Sequence, residues 1–382
     1  MHRFRLLVPV LFAVAACRGD DTLAPASPSA AKLSPSFAAS VGTVYTESNS
    51  ASGNAILVFD RAPNGALTPA GSYATGGLGT GSLQGSQGGV TFTSDGRFLL
   101  AVNAGSNSVS SFRVNGDGSL DLVGAVPSGG TLPISVTSER GLAYVLNAGG
   151  AGGIAGFTIG SDGALTPIAG SARPLSTAAP APAQIGFDPS GKVLVVTEKG
   201  TKRITTYTVG NDGLASAPQI QTSAGVTPFG FAFTTSGLLI VSEAFGGAAD
   251  GSAASSYTLD NAGVTRVVSP SVPTTETAAC WFTITNNGKF AYTTNNGSGS
   301  ITGYAINQGA LERLDADGRT ADTGAGSAPI DLAVSRNSQF LYVLNAGTET
   351  IGAFSVNVDG SLTPVDGGAS GLPAGTFGLA VR

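Results

Sequence analysis

The chain repeats itself about every 50 residues, and that period limits the fold more than any single motif does. An apolar strand leads through a tight turn into a second apolar strand that ends in Asn or Glu. A glycine-rich loop follows, then a third strand of alternating residues, a turn with Asp-Gly or Asn-Gly, and a weaker fourth strand. Residues 136–165, 284–311 and 334–362 each spell this unit. The turn between the first two strands falls at Gly96, Gly141, Gly191, Gly237, Gly288 and Ser338, at intervals of 45, 50, 46, 51 and 50 residues. That is the length of a four-stranded propeller blade. Ile351, Ala353 and Ser355 alternate with Gly352, Phe354 and Val356, a strand period, and no stretch keeps a helical stripe.

Counting strands predicts how the ring closes. Second strands end at Glu47, Asn103, Asn147, Glu198, Glu243, Asn295 and Asn345, which makes seven. Innermost first strands begin near Gly89, Pro133, Gln184, Gly230, Trp281 and Asp331, which makes six. The missing one is FGLAVR (377–382), which matches FGFAFT (229–234). The expected fold is therefore all-β: a seven-bladed β-propeller of four-stranded blades over residues 42–382. The C-terminal strand should complete the blade begun by residues 43–73, leaving no open edge between first and last blades. Composition agrees. Charged residues are 11% of the chain and glycines number 56, which suits short strands and tight turns rather than exposed helices.

Residues 1–17 read as an export signal. Arg3 and Arg5 supply the positive charge, and Leu6 to Ala13 form an apolar run too short to span a bilayer. Val14-Ala15-Ala16-Cys17 is similar to a bacterial lipobox, so Cys17 is the expected lipidation site and the membrane an expected partner through two or three acyl chains. Residues 18–41 are rich in Ala, Pro and Ser and read as a flexible tether. The expected location is the cell envelope. Export removes His2, the one histidine of the chain. With Cys17 carrying lipid, no disulfide framework is expected. A net charge of −5 offers no basic footprint for nucleic acid. No cofactor and no metal are expected: the Asp-Gly turns lack the spaced acidic residues of calcium loops.

The segments PIDLAVSRNSQFLYVLNAGTETIGAFSVNVDGSLTPV and IGFDPSGKVLVVTEKGTKRITTYTVGNDGL resemble the seven-bladed propeller lactonase family. It includes bacterial 6-phosphogluconolactonases and fungal carboxymuconate lactonizing enzymes. The resemblance spans all seven repeats. It implies a site of His, Arg and Glu on the face that carries the second-to-third-strand loops. Carried over position by position, the match is poor. The family's Pro-Arg-His in the fifth innermost strand stands here as Pro228-Phe229-Gly230, a histidine of the fourth as Gln184, and an arginine after the sixth blade's Asn as Asn296. Glu243 is kept, and Arg203 matches an arginine expected to hold its blade together.

Two readings follow. The ring of Glu47, Glu198, Glu243 and four asparagines could bind a polar ligand such as a sugar or lactone, or its members could cap their own turns. Lys199, Lys202 and Arg203 could hold an anion beside Glu198 and Glu243, or form a solvated loop. Phe229, Trp281 and Phe377 could narrow the channel mouth or simply pack. Residues 76–89 read as an inter-blade connection, not a phosphate cradle. The leading expectation is an envelope binding or interaction protein, with a small polar ligand or an envelope protein as partner. The alternative is a histidine-free lactone hydrolase or lactonizing enzyme with Glu243 as its catalytic carboxylate.

Overall fold

A computed structural model describes residues 41–382. The signal-peptide, Cys17 and tether expectations fall essentially outside them. Seven antiparallel sheets follow one another in the chain. Blade 1 comprises Gly42–Glu47, Ala55–Arg61 and Leu67–Ala74, with Phe377–Val381 as its innermost strand. In blades 2 to 7 the strands run from the axis outward in chain order. The sequence reading placed every second-strand end correctly: each of the seven strands ends at the Glu or Asn named above.

Burial explains why the second strands look alike. Phe98–Asn103, Val193–Glu198 and Phe340–Asn345 are buried at every position, because a neighbouring blade packs on each face. Such strands read as continuous apolar runs, whereas outer strands such as Leu120–Pro127 alternate towards solvent. In blades 3 and 6 the outer strand is broken into two pieces, Leu165–Pro167 with Arg173–Pro174 and Ala310–Arg313 with Ala321–Asp322. A turn separates the pieces in each case, and both pieces pair with the same third strand, so together they fill the place of the fourth strand.

The ring closes as expected. Val44, Tyr45 and Thr46 pair with Val381, Ala380 and Leu379, and Glu47 pairs with Phe377 across a bulge. Thr46 Oγ1 donates to the Gly378 carbonyl at 2.6 Å. Neighbouring blades are also latched at the opposite end, where a second-strand tyrosine donates to the glycine carbonyl of the next blade's hairpin turn. Tyr45 reaches Gly118, Tyr144 Gly213, Tyr292 Gly360 and, across the closure, Tyr342 Gly65, at 2.6–2.9 Å. These glycines have φ near +90°, for example 91° at Gly65 and 88° at Gly360, a region that suits Gly alone.

Candidate functional site

The end of the propeller that carries the second-to-third-strand loops is built by the strand-ending residues. In blades 2 to 5 each hooks the chain segment arriving from the preceding blade. Asn103 Oδ1 accepts from Thr75 Oγ1 at 2.6 Å, and Asn147 Oδ1 from Ser128 Oγ at 2.7 Å. Glu198 accepts from the Ser176 amide at 3.0 Å, and Glu243 from the Gly225 amide at 2.7 Å. Glutamate stands where the surrounding groups are donors: Glu198 also takes the hydroxyls of Ser176, Thr201 and Thr205, and Glu243 those of Ser255 and Ser271. Glu47 accepts from Asn54 Nδ2 at 2.9 Å. All three carboxylates are at most 1% exposed. Burial raises Glu47 well above the ordinary carboxylate range, against the Asn54 bond. Burial also raises Glu243, opposed by Ser255, Ser271, Gly225 and the charge of Lys202.

Around the axis, side chains stitch one innermost strand to the next. Gln184 makes two bonds to one residue of blade 5: Nε2 donates to the Phe231 carbonyl at 3.0 Å and Oε1 accepts the Phe231 amide at 2.7 Å. Between blades 3 and 4, Ser135 Oγ accepts the Ile185 amide at 3.2 Å. Between blades 7 and 1, Asp331 is approached by the Leu379 amide. Each stitching residue lies two positions past the proline that opens its strand: Pro133, Pro182 and Pro329. The same position in blade 5 is Gly230, which has no side chain. There Gln87 makes the same pair of bonds to blade 6, at 2.8 Å to the Phe282 carbonyl and 2.9 Å from the Phe282 amide. A Cβ on Gly230 would collide with Gln87 Oε1.

Gln87 arrives on a strap. The segment joining blades 1 and 2 does not merely connect them; residues 85–89 cross the mouth of the channel. The Gln87 amide donates to Ala183 in blade 4 at 3.0 Å, Ser86 Oγ to Ile134 in blade 3 at 3.1 Å, and Trp281 Nε1 in blade 6 to the Ser86 carbonyl at 2.7 Å. Lys199 Nζ donates to the Gly85 carbonyl and stands 4.8 Å from the centre of the Phe229 ring. Beneath the strap Phe229 and Trp281 pack with ring centres 4.9 Å apart, and Phe377 lies against Gly89. All three rings are 1% exposed, so they both pack and close the mouth.

A family model described as "Lactonase, 7-bladed beta-propeller" matches residues 41–371. The chain belongs to that family. No curated protein matches it. Among solved structures it is similar to a Bacteroides uniformis protein provisionally named 6-phosphogluconolactonase, with TM-score 0.70 and 19% identity over 89% of this chain and 99% of that one. The periplasmic gluconolactonase of Pseudomonas aeruginosa gives TM-score 0.67 and 16% identity over 88% and 98%. At these identities the likeness concerns the fold.

Set on the lactonase propeller, the expected site residues do not form one cluster. Glu47, Glu198 and Glu243 are each buried in their own blade, occupied by donors of that blade or of the segment entering it. Gln184 is a stitch. Lys199 is committed to the strap. Lys202 is the cation whose charge reaches Glu243. Asn296 is half-buried and donates to the Pro329 carbonyl at 3.3 Å. Arg203 pairs through its backbone with Glu198 and Thr222 within its blade, and its guanidinium makes no hydrogen bond or ion pair with the described residues. No group of three or more metal-ligating side chains comes together among the described residues.

Sequence reasoning missed Asp331. It is 2% exposed, its backbone sits at φ 41°, and Oδ2 has no partner among the described residues. Burial holds its carboxyl up at about 7, against the amides of Leu332 and Leu379. The signal was in the sequence: Pro329-Ile330-Asp331 repeats the step of Pro182-Ala183-Gln184 and Pro228-Phe229-Gly230.

Proposed function

We propose that this chain is a non-hydrolytic member of the lactonase family, an exported and lipid-anchored propeller that acts by binding in the cell envelope. The observation that carries this reading is the exchange at blade 5. Where the family resemblance calls for a histidine the chain has Gly230, and the vacated space is taken by Gln87 of the strap. The remaining candidate groups, Gln184, Glu198 and Glu243, spend their hydrogen-bonding capacity inside the protein. A substrate carbonyl would need a nucleophile or base within hydrogen-bond reach, and the strap and the three rings fill that approach. Partners are then met on outer surfaces: a small polar ligand such as a sugar or lactone, or another envelope protein. Residues 18–41 would tether the propeller to the lipidated Cys17.

The test is hydrolysis of δ-gluconolactone and its 6-phosphate by purified protein. The expected rate equals the spontaneous one, and Glu243→Gln leaves it unchanged. A second reading, lactone hydrolysis, is favoured by the buried Asp331, whose carboxyl titrates near neutrality as a general base should. An acceleration well above background that Asp331→Asn or Glu243→Gln abolishes, with the melt retained, would establish the enzyme and remove the binding reading.

A further inference from the structure

At the other end of the propeller a cavity of about 300 Å³ opens where blades 1, 2 and 7 meet. Three arginines line it, Arg61, Arg336 and Arg382, together with the chain entry at Val41 and Gly42 and the hairpin turn at Gly116 and Gly118. None of the ion pairs between described residues reaches these three guanidinium groups.

Arg61 is the anchor. It is 5% exposed, lies 5.6 Å from the centre of the Phe340 ring, and gives Nη2 to the Val41 carbonyl at 2.9 Å. Its Nε is buried without a hydrogen-bond partner. A buried guanidinium donor left unsatisfied is costly, and the glycine at 42 lets the chain pack directly on this one: a Cβ there would stand 2.4 Å from Nη2 and 2.7 Å from Nε. Arg336 is exposed at the rim, and its side chain makes no hydrogen bond with the described residues. Arg382 gives one nitrogen to the Asn115 carbonyl at 3.0 Å. Among nearby oxygens, the Arg382 carbonyl is taken by the Thr43 amide at 3.3 Å, and the Asp117 carboxylate is turned onto Ser119 at 2.6 Å.

We infer that this cavity is a binding site for a small phosphate-type oxyanion, either free or as a monoester headgroup. Guanidinium groups present paired donors that match phosphate oxygens, and three of them line this one cavity. The site is remote from the sealed mouth, so it does not depend on whether the family activity is retained.

The experiment is calorimetric titration of the full chain in neutral detergent with inorganic phosphate, at constant ionic strength against sodium chloride. Saturable phosphate binding is expected. Arg336→Ala should weaken it about tenfold or more while leaving the melt unchanged, as losing a charge-assisted pair implies. The source is separated by co-sedimentation with vesicles of phosphatidic acid or of phosphatidylcholine. Retention on phosphatidic acid that needs Arg336 assigns a headgroup, and phosphate binding without such retention assigns a free anion. Absence of saturable phosphate binding by folded wild-type protein, or equal binding by Arg336→Ala, overturns the site.

Discussion

The two ends of this propeller are made from the same seven repeats and behave as opposites. At the loop end, carboxyl groups are buried and pushed up: Glu47, Glu243 and Asp331 all titrate above their ordinary values because burial disfavours their charge. At the turn end, Asp117 and Asp359 lie in exposed hairpins and are pulled down, chiefly by the hydroxyls of Ser119 and Ser361. The loop end is sealed by a strap and stitched around its axis. The turn end keeps cavities, among them one of about 570 Å³ beside Thr234–Leu238 and the arginine site. A repeat thus supplies the frame, while single positions decide which end is structural and which stays open.

The largest effect should come from removing what both ends share. Deleting residues 377–382 strips Phe377, Leu379 and Val381 from the core, each worth about 2 kcal/mol of burial, and exposes the edge of blade 1. Cooperative thermal unfolding should be lost or fall by at least about 15 °C. An unchanged melt would mean that the ring does not depend on its seam.

Next is the contrast between polar groups at the two ends. Glu198→Ala leaves the Ser176 amide and three hydroxyls without their acceptor, and should cost about 3 kcal/mol in denaturant unfolding. Asp359→Ala, at an exposed turn, should not move the midpoint measurably. Equal effects would erase the distinction.

The opposite titrations predict a pH dependence with a definite sign. Asp331 is raised from 3.8 to about 7 in the folded protein. Its contribution is therefore complete below the unfolded value and is lost as pH rises through about 7; Glu47 and Glu243 act in the same direction. Stability should be higher near pH 5 than near pH 8, by an amount on the order of a few kcal/mol. Asp331→Asn, which keeps an acceptor for the Leu332 and Leu379 amides, should flatten the profile. A protein that is equally or more stable at pH 8 would contradict control of this window by the buried carboxyls; the turn carboxylates, held below 3.8, act only at lower pH.

The smallest effect belongs to a latch at the turn end. Tyr342→Phe removes the hydroxyl bond to Gly65 across the seam and should cost about 1 kcal/mol. A loss as large as that of Glu198→Ala would place the locking of the blades at both ends equally.

Almost all of the frame was legible in the sequence, because blade strands announce themselves by burial on both faces and by turn residues. The ends of the second strands were read to the residue, and the closing segment FGLAVR to within one, the strand being Phe377–Val381. The loop-end chemistry was only half legible. Glu198 and Asn103 could be assigned to ligands or caps, since either role uses the same side chain at the same strand end. The Ser176 amide on Glu198 and the Thr75 hydroxyl on Asn103 are contacts that only the fold brings together. The strap was invisible for a different reason: Ser86 and Gln87 sit in a Gly/Ser-rich run whose composition suits any loop. That Gln87 fills the space beside Gly230, more than 140 residues away in the chain, is a tertiary fact. Asp331 and the three arginines carried no local pattern beyond the repeat, and Arg61 and Arg382 meet because the ring closes.

Amide hydrogen exchange across residues 84–89 tests the sealed mouth most directly. If the strap belongs to the core, the Gln87 amide, bonded to Ala183, and the Trp281 indole, bonded to Ser86, should exchange only with global unfolding, at the rate of the Val193–Glu198 strand. Exchange at the rate of an exposed loop, while that strand stays protected, would mean that the mouth opens in the native protein, and the account of a closed, non-hydrolytic propeller would be wrong.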